Sequence, residues 1–477
     1  MKKYFALCLV SLLCFTAVFG NINISADTPA EMRAVWLWGS TVREMGKDGV
    51  TAVVEDLKQF GFTDIFLLVK GLSGVVGYPS AVALSTQKSD IDLLQKIVEE
   101  AHKNKIKVHA WYTINSDSAW IAENPKDAMV HIKNGPVKDG KVSPLAPRYK
   151  KYVKDLIKEV VDKYDIDGVH LDYIRYTHAV YSFDKYTLEE AKKRKIDVDK
   201  VKDILNQTFY APKDSSIVIK AYQNGDPTIV EWEKLRRDTI ADFAREIGEI
   251  VKNARRPIIY STALMPEGAY DPVFGDVYYA QNYKELGPIF DCVIPMAYWK
   301  DFAKPPRWVG STVVKGTINA IENMPVYAGL QAYDVPGNKQ IADAEKAAIE
   351  NGSKGVVLFR YGSFSFASVQ VTNSGDDKTL VTLELKNRDA SHIDSIEIDF
   401  KGTGLNPTTV LQIPKGITTE VNKTIVSLTG GKILDRGQAL NFSVEVEQDP
   451  AKSDSPKMPS IKFIRNRTSV PVYTVMK

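Results

Sequence analysis

Residues 167–176 read DGVHLDYIRY, a run in which Val169, Leu171, Tyr173 and Ile174 favour a strand while His170, Asp172 and Arg175 are groups that a buried strand normally excludes. A carboxylate at the carboxyl end of a parallel strand stands where α/β barrels hold their reacting groups, because the strand ends and the loops after them form the one concave face. Hydrolysis of a glycosidic bond needs two carboxyl groups, one to give a proton and one to act as nucleophile or base. Two further acids follow later apolar runs, Glu267 in STALMPEGAY and Asp334 in LQAYDVPG. Glu267 comes after the strand next to that of Asp172, so these two form the expected catalytic couple, and adjacency favours the ~5 Å separation of a retaining mechanism. The competing structural readings are an ion pair with Arg175 or a helix cap for Asp172, and an exposed loop carboxylate for Glu267.

Aromatic and imidazole groups supply the rest of the expected site. All seven tryptophans precede residue 310, and Trp36, Trp38, Trp111 and Trp299 fall near the ends of apolar runs. The flat C–H faces of sugars stack on such rings while polar groups at the rim take the hydroxyls; barrel filling is the alternative for any one of them. His109 and His170 stand two residues before Trp111 and Asp172, so each shares a strand face with that partner. Their expected role is to hydrogen-bond Asp172 and a substrate hydroxyl. With six histidines and no HxH or HExxH spacing, neither a metal nor any other cofactor is expected, and a zinc-dependent deacetylase, which would need metal at His109 and His170, is disfavoured. Gly71, Gly74 and Gly77 lack the lysine and hydroxyl of a phosphate loop and read as a wall. No Gly-x-Ser-x-Gly occurs, and Cys292 sits inside an apolar strand, which argues against serine or cysteine nucleophiles.

The elements that must position these groups alternate between short apolar runs and amphipathic helices. Strands are expected at RAVWLW from Arg33, TDIFLLV from Thr63, KVHAWYTI from Lys107, DGVHLDYI from Asp167, RPIIYSTAL from Arg256, DCVIPMAYW from Asp291, PVYAGLQAY from Pro325 and KGVVLFRYG from Lys354. Eight such strands over residues 31–366 fit a (β/α)8 TIM barrel better than a doubly wound sheet, which would carry a Gly-rich turn where this chain has WLWGSTV. A helix is expected after Pro147, with Val153, Leu156, Ile157, Val160 and Val161 at helical spacing, and another from Trp232. The connection at residues 177–229 is long enough to be a lid or wall, with a helix expected from a capping box of Thr187 and Glu190. Residues 367–477 change to alternating Val, Thr, Leu and Ile with Asn, Gly and Asp turns, the texture of a C-terminal β-sandwich. This segment has no tryptophan, so a spacer or packing module is expected there.

At 477 residues, 44% hydrophobic and 25% charged, the chain has the composition of a two-domain globular protein. Residues 1–20, MKKYFALCLVSLLCFTAVFG, have the layout of a secretory signal peptide, so an exported protein at the cell surface or in the periplasm is expected, with no integral membrane domain after cleavage. Loss of the two leader lysines takes the formal charge from +3 to +1, which gives no electrostatic case for nucleic acid as a partner. Cys292 would then be the sole cysteine, so no intramolecular disulfide is expected.

EMRAVWLW, KVHAWY, VDKYDIDGVHLDYIRY, WEKLRRDTIADF, YAQNY and FDCVIPMAYW together resemble the glycosyl-hydrolase-like family 10 of bacterial barrel proteins, across nearly all of residues 31–366. The resemblance implies a (β/α)8 fold and glycosidase activity, with some relatives acting on cell-wall glycan strands. Asp172 matches the family's aspartate at the end of strand four, Arg175 and Tyr176 match its flank, and Gln281 and Tyr298 match polar and aromatic positions before and within strand six. Glu267 lies outside these pieces. The expectation is a glycoside hydrolase acting on a polysaccharide or oligosaccharide, peptidoglycan glycan strands among the candidates. Asp172 and Glu267 are its carboxyl pair, and Trp38, His109, Trp111, His170, Arg175, Tyr176, Gln281, Tyr298, Trp299 and Asp334 its substrate-binding residues. The alternative is a non-catalytic surface barrel that binds or scaffolds glycans.

Overall fold

Eight parallel strands close into a barrel in the computed structural model, which describes residues 31–87, 91–373, 379–389, 392–448 and 457–477. They are β1 (Met32–Trp38), β2 (Asp64–Lys70), β3 (Lys107–Thr113), β4 (Gly168–Asp172), β5 (Ile259–Leu264), β6 (Cys292–Ala297), β7 (Tyr327–Gln331) and β8 (Gly355–Phe359). Closure is explicit in the register, since β1 pairs in parallel with both β2 and β8. Each of the eight expected apolar runs is one of these strands. The leader at residues 1–20 lies outside the described residues.

Alternation along the strands makes two cores. Met32, Trp36, Phe66, Trp111, Ile294 and Val357 fill the barrel interior, while their neighbours Val35, Leu37, Ile65, Leu67 and Leu358 pack outward under the helices. Strands buried on both faces carry continuous apolar runs for this reason. Large rings inside the barrel need compensating small residues. A Cβ on Gly168 would overlap His109 Nδ1, and one on Gly329 would stand 3.0 Å from the Trp36 ring.

The helix α1 (Pro147–Lys163) starts on a proline, which has no N–H to leave unpaired at that position, and buries Val153, Leu156, Ile157, Val160 and Val161. Beyond β4 the long connection folds into α2 (Lys185–Lys193), α3 (Val198–Phe209) and α4 (Ile217–Gln223), ahead of α5 (Pro227–Lys252). This insertion has its own apolar cluster, in which Phe183 stacks on Trp232 at 5.3 Å. The expected capping box is not what starts α2. Asp184 caps it, accepting from the backbone N–H groups of Tyr186 and Thr187 at 3.1 Å, and the Thr187 hydroxyl is itself donated to Asp184 at 2.8 Å. A carboxylate with several lone pairs displaces a hydroxyl from that task. Likewise α5 begins at Pro227, capped by Asp226, before the Trp232 expected from periodicity.

The C-terminal segment forms two five-stranded sheets. One contains strands Ser365–Asn373, Thr379–Lys386 and Ala439–Gln448, the other Ile393–Asp399, Ile425–Leu434 and Ser460–Arg465, and Val381, Leu383, Ile396, Ile398 and Phe463 share one core between them. Within a single strand Phe366 packs into the barrel's core and Ala367 into that of the sheets. The two modules are locked by buried charge. Asp56 accepts from Arg388 Nε at 2.5 Å and from the Tyr361 hydroxyl at 2.7 Å, with Lys386 at 3.2 Å. Cys292 is free and buried, and no described helix is long and apolar enough to cross a membrane.

Candidate active site at the barrel mouth

The carboxyl ends of β1, β3, β4, β6 and β8 surround a cavity of about 150 Å³ whose wall includes Trp38, Trp111, Asp172, Arg175, Tyr298 and Phe359. Asp172 ends β4 and is 5% exposed. Its Oδ2 accepts from Trp111 Nε1 at 3.2 Å, its Oδ1 from the backbone N–H of Tyr173 at 2.7 Å, and Arg175 Nη1 stands 3.5 Å from Oδ1. Tyr173 has φ +54°, a left-handed turn that folds its N–H back onto the carboxylate, and its ring lies 4.3 Å under the Arg175 guanidinium. Burial raises the pKa of Asp172, against the pull of the Arg175 charge and of the two N–H donors, which favour the anion.

Glu267 sits in the single turn Pro266–Ala269 directly after β5. The Tyr279 hydroxyl donates to its Oε1 at 3.1 Å, while its buried Oε2 finds no hydrogen-bond partner among the described residues. Burial raises this pKa as well, opposed by hydrogen bonds from backbone and Tyr279 and then by the Arg175 charge. Glu267 is not on the cavity wall; Arg175 is the group whose charge acts on both carboxyls.

Aromatic rings make the remaining surface. Phe359 packs edge-on to Trp38 at 6.5 Å and Trp111 at 6.3 Å, and tilted against Tyr298 at 5.6 Å. The peptide after Phe359 is cis, and the Arg360 guanidinium covers the Trp38 ring at 3.6 Å. At the end of β2, Lys70 is fully buried against Asp117 at 3.2 Å and the carbonyls of Thr113 and Ser116. Gly74, at φ +81°, lies against the same Asp117 carboxylate, which ties the glycine-bearing loop to the rim.

The structure therefore brings Trp38, Trp111, Asp172, Arg175 and Tyr298 to one cavity, and leaves the other named residues off its wall. His109 pairs with Asp64 at 2.8 Å and stacks on Phe66, two residues deeper than Trp111. His170 bonds Ser261 at 3.0 Å among Trp36 and Phe66, and burial holds its pKa well below the usual histidine value. Tyr176 lies under Arg236 at 4.7 Å, beside the insertion. Gln281 braces the loops, accepting from Met265 N at 3.0 Å and donating to Ile174 O at 3.3 Å. Trp299 points to the opposite side from Tyr298, and with Asp334 it lines a separate groove beside the C-terminal sheets. Phe359, Tyr279 and the role of the Tyr173 backbone N–H and ring are parts of the site that sequence reasoning missed; Tyr173 directly follows Asp172 at the end of β4, and Phe359 is the last residue of β8.

Residues 31–345 match the family described as glycosyl hydrolase-like 10. The chain belongs to that family. It is similar to the glycosyl hydrolase YngK of Bacillus subtilis (strain 168), 23% identical over 388 residues that cover 69% of this chain and 66% of the relative. It is also similar to the glycosyl hydrolase DigH of Escherichia coli (strain K12), 27% identical over 149 residues, 26% of this chain and 34% of that protein. The chain thus spans less than two thirds of the length of either. The glycoside hydrolase domain of PgaB (BpsB) from Bordetella bronchiseptica has the same fold, with a TM-score of 0.55 at 15% identity over 69% of this chain and 93% of that domain. The chain is thus a glycosyl hydrolase-like 10 barrel with aromatic and acidic groups at its strand ends.

Proposed function

We propose that the protein is an exported glycoside hydrolase that cleaves a polysaccharide with Asp172 and Glu267, glycan strands of cell-wall peptidoglycan being the first substrate to try. The observation that carries this reading is Asp172 itself, a buried carboxylate at the mouth of the barrel, facing aromatic walls and held by two N–H donors and an ion pair with Arg175. The two acids have unlike surroundings, and unlike surroundings separate roles. Asp172 has two N–H donors and a guanidinium that support its anion, so it acts as nucleophile or base. Glu267 has one phenolic donor and one unpartnered oxygen, so it keeps a proton and delivers it to the leaving glycosidic oxygen as the C–O bond breaks. Water then completes the hydrolysis at the anomeric carbon. Trp38, Trp111 and Tyr298 stack on sugar rings, while His170 and Gln281 hold the strands and loops that aim the acids. The apolar leader supports export.

One observation favours a second reading. Asp172 is the only carboxylate on the cavity wall among the described residues, as a glycan-binding barrel without turnover would have it. Product analysis separates the two: purified peptidoglycan, peptide-stripped glycan strands and a panel of plant and bacterial polysaccharides are incubated with the protein. New reducing ends support hydrolysis. Binding with no reducing ends after long incubation overturns it in favour of the second reading.

A further inference from the structure

Between the barrel and the C-terminal sheets runs a groove of about 990 Å³, lined on one side by Trp299 and Tyr333. Among the described residues its wall carries five cations, Lys300, Lys304, Arg360, Arg465 and Arg467, against two carboxylates, Asp334 and Asp389. Over the whole chain the two signs are nearly balanced, 62 against 59, so this wall is locally enriched in positive charge. Asp389 pairs with Arg465 at 3.2 Å, and Lys300 donates to the backbone oxygen of Asp334. Lys304, Arg360 and Arg467 have no carboxylate within ion-pair distance among the described residues; Arg360 instead donates to the Thr41 hydroxyl at 3.2 Å. Like charges gathered in a cleft repel one another and raise the local concentration of an opposite ligand.

The groove adjoins the mouth cavity without sharing a wall residue with it. Arg360 lines the groove and covers Trp38, which lines the cavity, and the Tyr333 ring in the groove is 6.0 Å from Phe359 in the cavity. A chain long enough to pass over the Arg360–Trp38 and Tyr333–Phe359 contacts would reach from the mouth to the space between the two modules.

We propose that this groove binds a carboxylate-bearing stretch of the polysaccharide, so that the C-terminal sheets complete the substrate site and select acidic glycans; the inference builds on the glycosidase reading. The four groove cations without an ion-pair carboxylate among the described residues come from three segments, Lys300 and Lys304 after β6, Arg360 after β8 and Arg467 in the turn before Thr468–Val470, a distribution that suits charges repeating along a chain. Guanidinium groups meet carboxylates edge-on with paired N–H donors. Tyr333, half-buried on the wall it shares with the packed Trp299, offers an apolar face for a sugar ring, which a flexible acidic peptide does not need.

The test measures binding, not turnover, in the full-length Asp172→Asn protein, so its result is independent of whether the barrel hydrolyses anything. Polygalacturonate and hyaluronate are the carboxylate probes, dextran the neutral one, with polyphosphate and polyglutamate as other anions. Binding of a carboxylate glycan in preference to dextran, weakening with salt, and falling about tenfold in the added Lys304→Gln/Arg467→Gln double variant, supports the proposal. Equal binding of dextran, no change in the double variant, or tighter binding of polyphosphate or polyglutamate than of both acidic glycans overturns it.

Discussion

Arg175 is the residue on which the two carboxyls depend, since its charge opposes the effect of burial on each. The hydroxyl of Tyr279 acts the same way on Glu267 alone, favouring the ionised form. Tyr279→Phe removes that donor, so the pKa of Glu267 rises further and the alkaline limb of the kcat profile moves to higher pH; an unmoved limb would separate Glu267 from proton donation. Burial of Glu267 also has a stability consequence with a definite sign. A carboxyl whose pKa is raised on folding helps the native state below its unfolded value, near 4.5, and that help is lost as pH rises through the folded value. Glu267→Gln should therefore raise Tm relative to the natural protein at pH 7 and have little effect at pH 4, measured by thermal melts at both. At this scale the sequence placed Trp38, Trp111, Asp172, Arg175 and Tyr298 together through alternation. It could not give depth: His109 and His170 share a face with Trp111 and Asp172, but two residues along a strand is about 6.6 Å, enough to move a group from the mouth into the packed interior.

The strand β4 owes its position to a residue with no side chain. A methyl on Gly168 would run into His109 and stand 2.9 Å from the carbonyl of Ile259 on the next strand. Gly168→Ala should cost about 2 kcal/mol or more in urea unfolding, the usual penalty of overpacking, and should lower activity by shifting Asp172. An unchanged midpoint would mean that His109 can move aside. All eight strands were legible because continuous apolar runs between helices leave few other arrangements. Helix starts were less so: Asp184 and Asp226 cap α2 and α5, and nothing in periodicity ranks one nearby carboxylate or hydroxyl above another.

Two modules were evident from the change of texture near Ala367, yet how they dock was not, because it rests on contacts between residues hundreds of positions apart. Asp56 and Arg388 are such a pair, with side chains 2% and 8% exposed. Arg388→Met leaves Asp56 with Lys386 and Tyr361 only, and a buried carboxylate that loses its main partner costs about 3 kcal/mol. Chemical unfolding should show that loss, with the C-terminal sheets becoming the first part open to protease. Docking also creates the groove beside Trp299 and Asp334, which explains why those two residues, expected at the mouth, belong to a different surface.

Replacing Asp172 by Asn is the most direct measurement, because the amide keeps the volume and removes the charge. With a substrate found by product analysis, kcat should fall on the order of 1,000-fold while Tm and circular dichroism stay unchanged. Full activity in a folded Asp172→Asn protein would contradict the account.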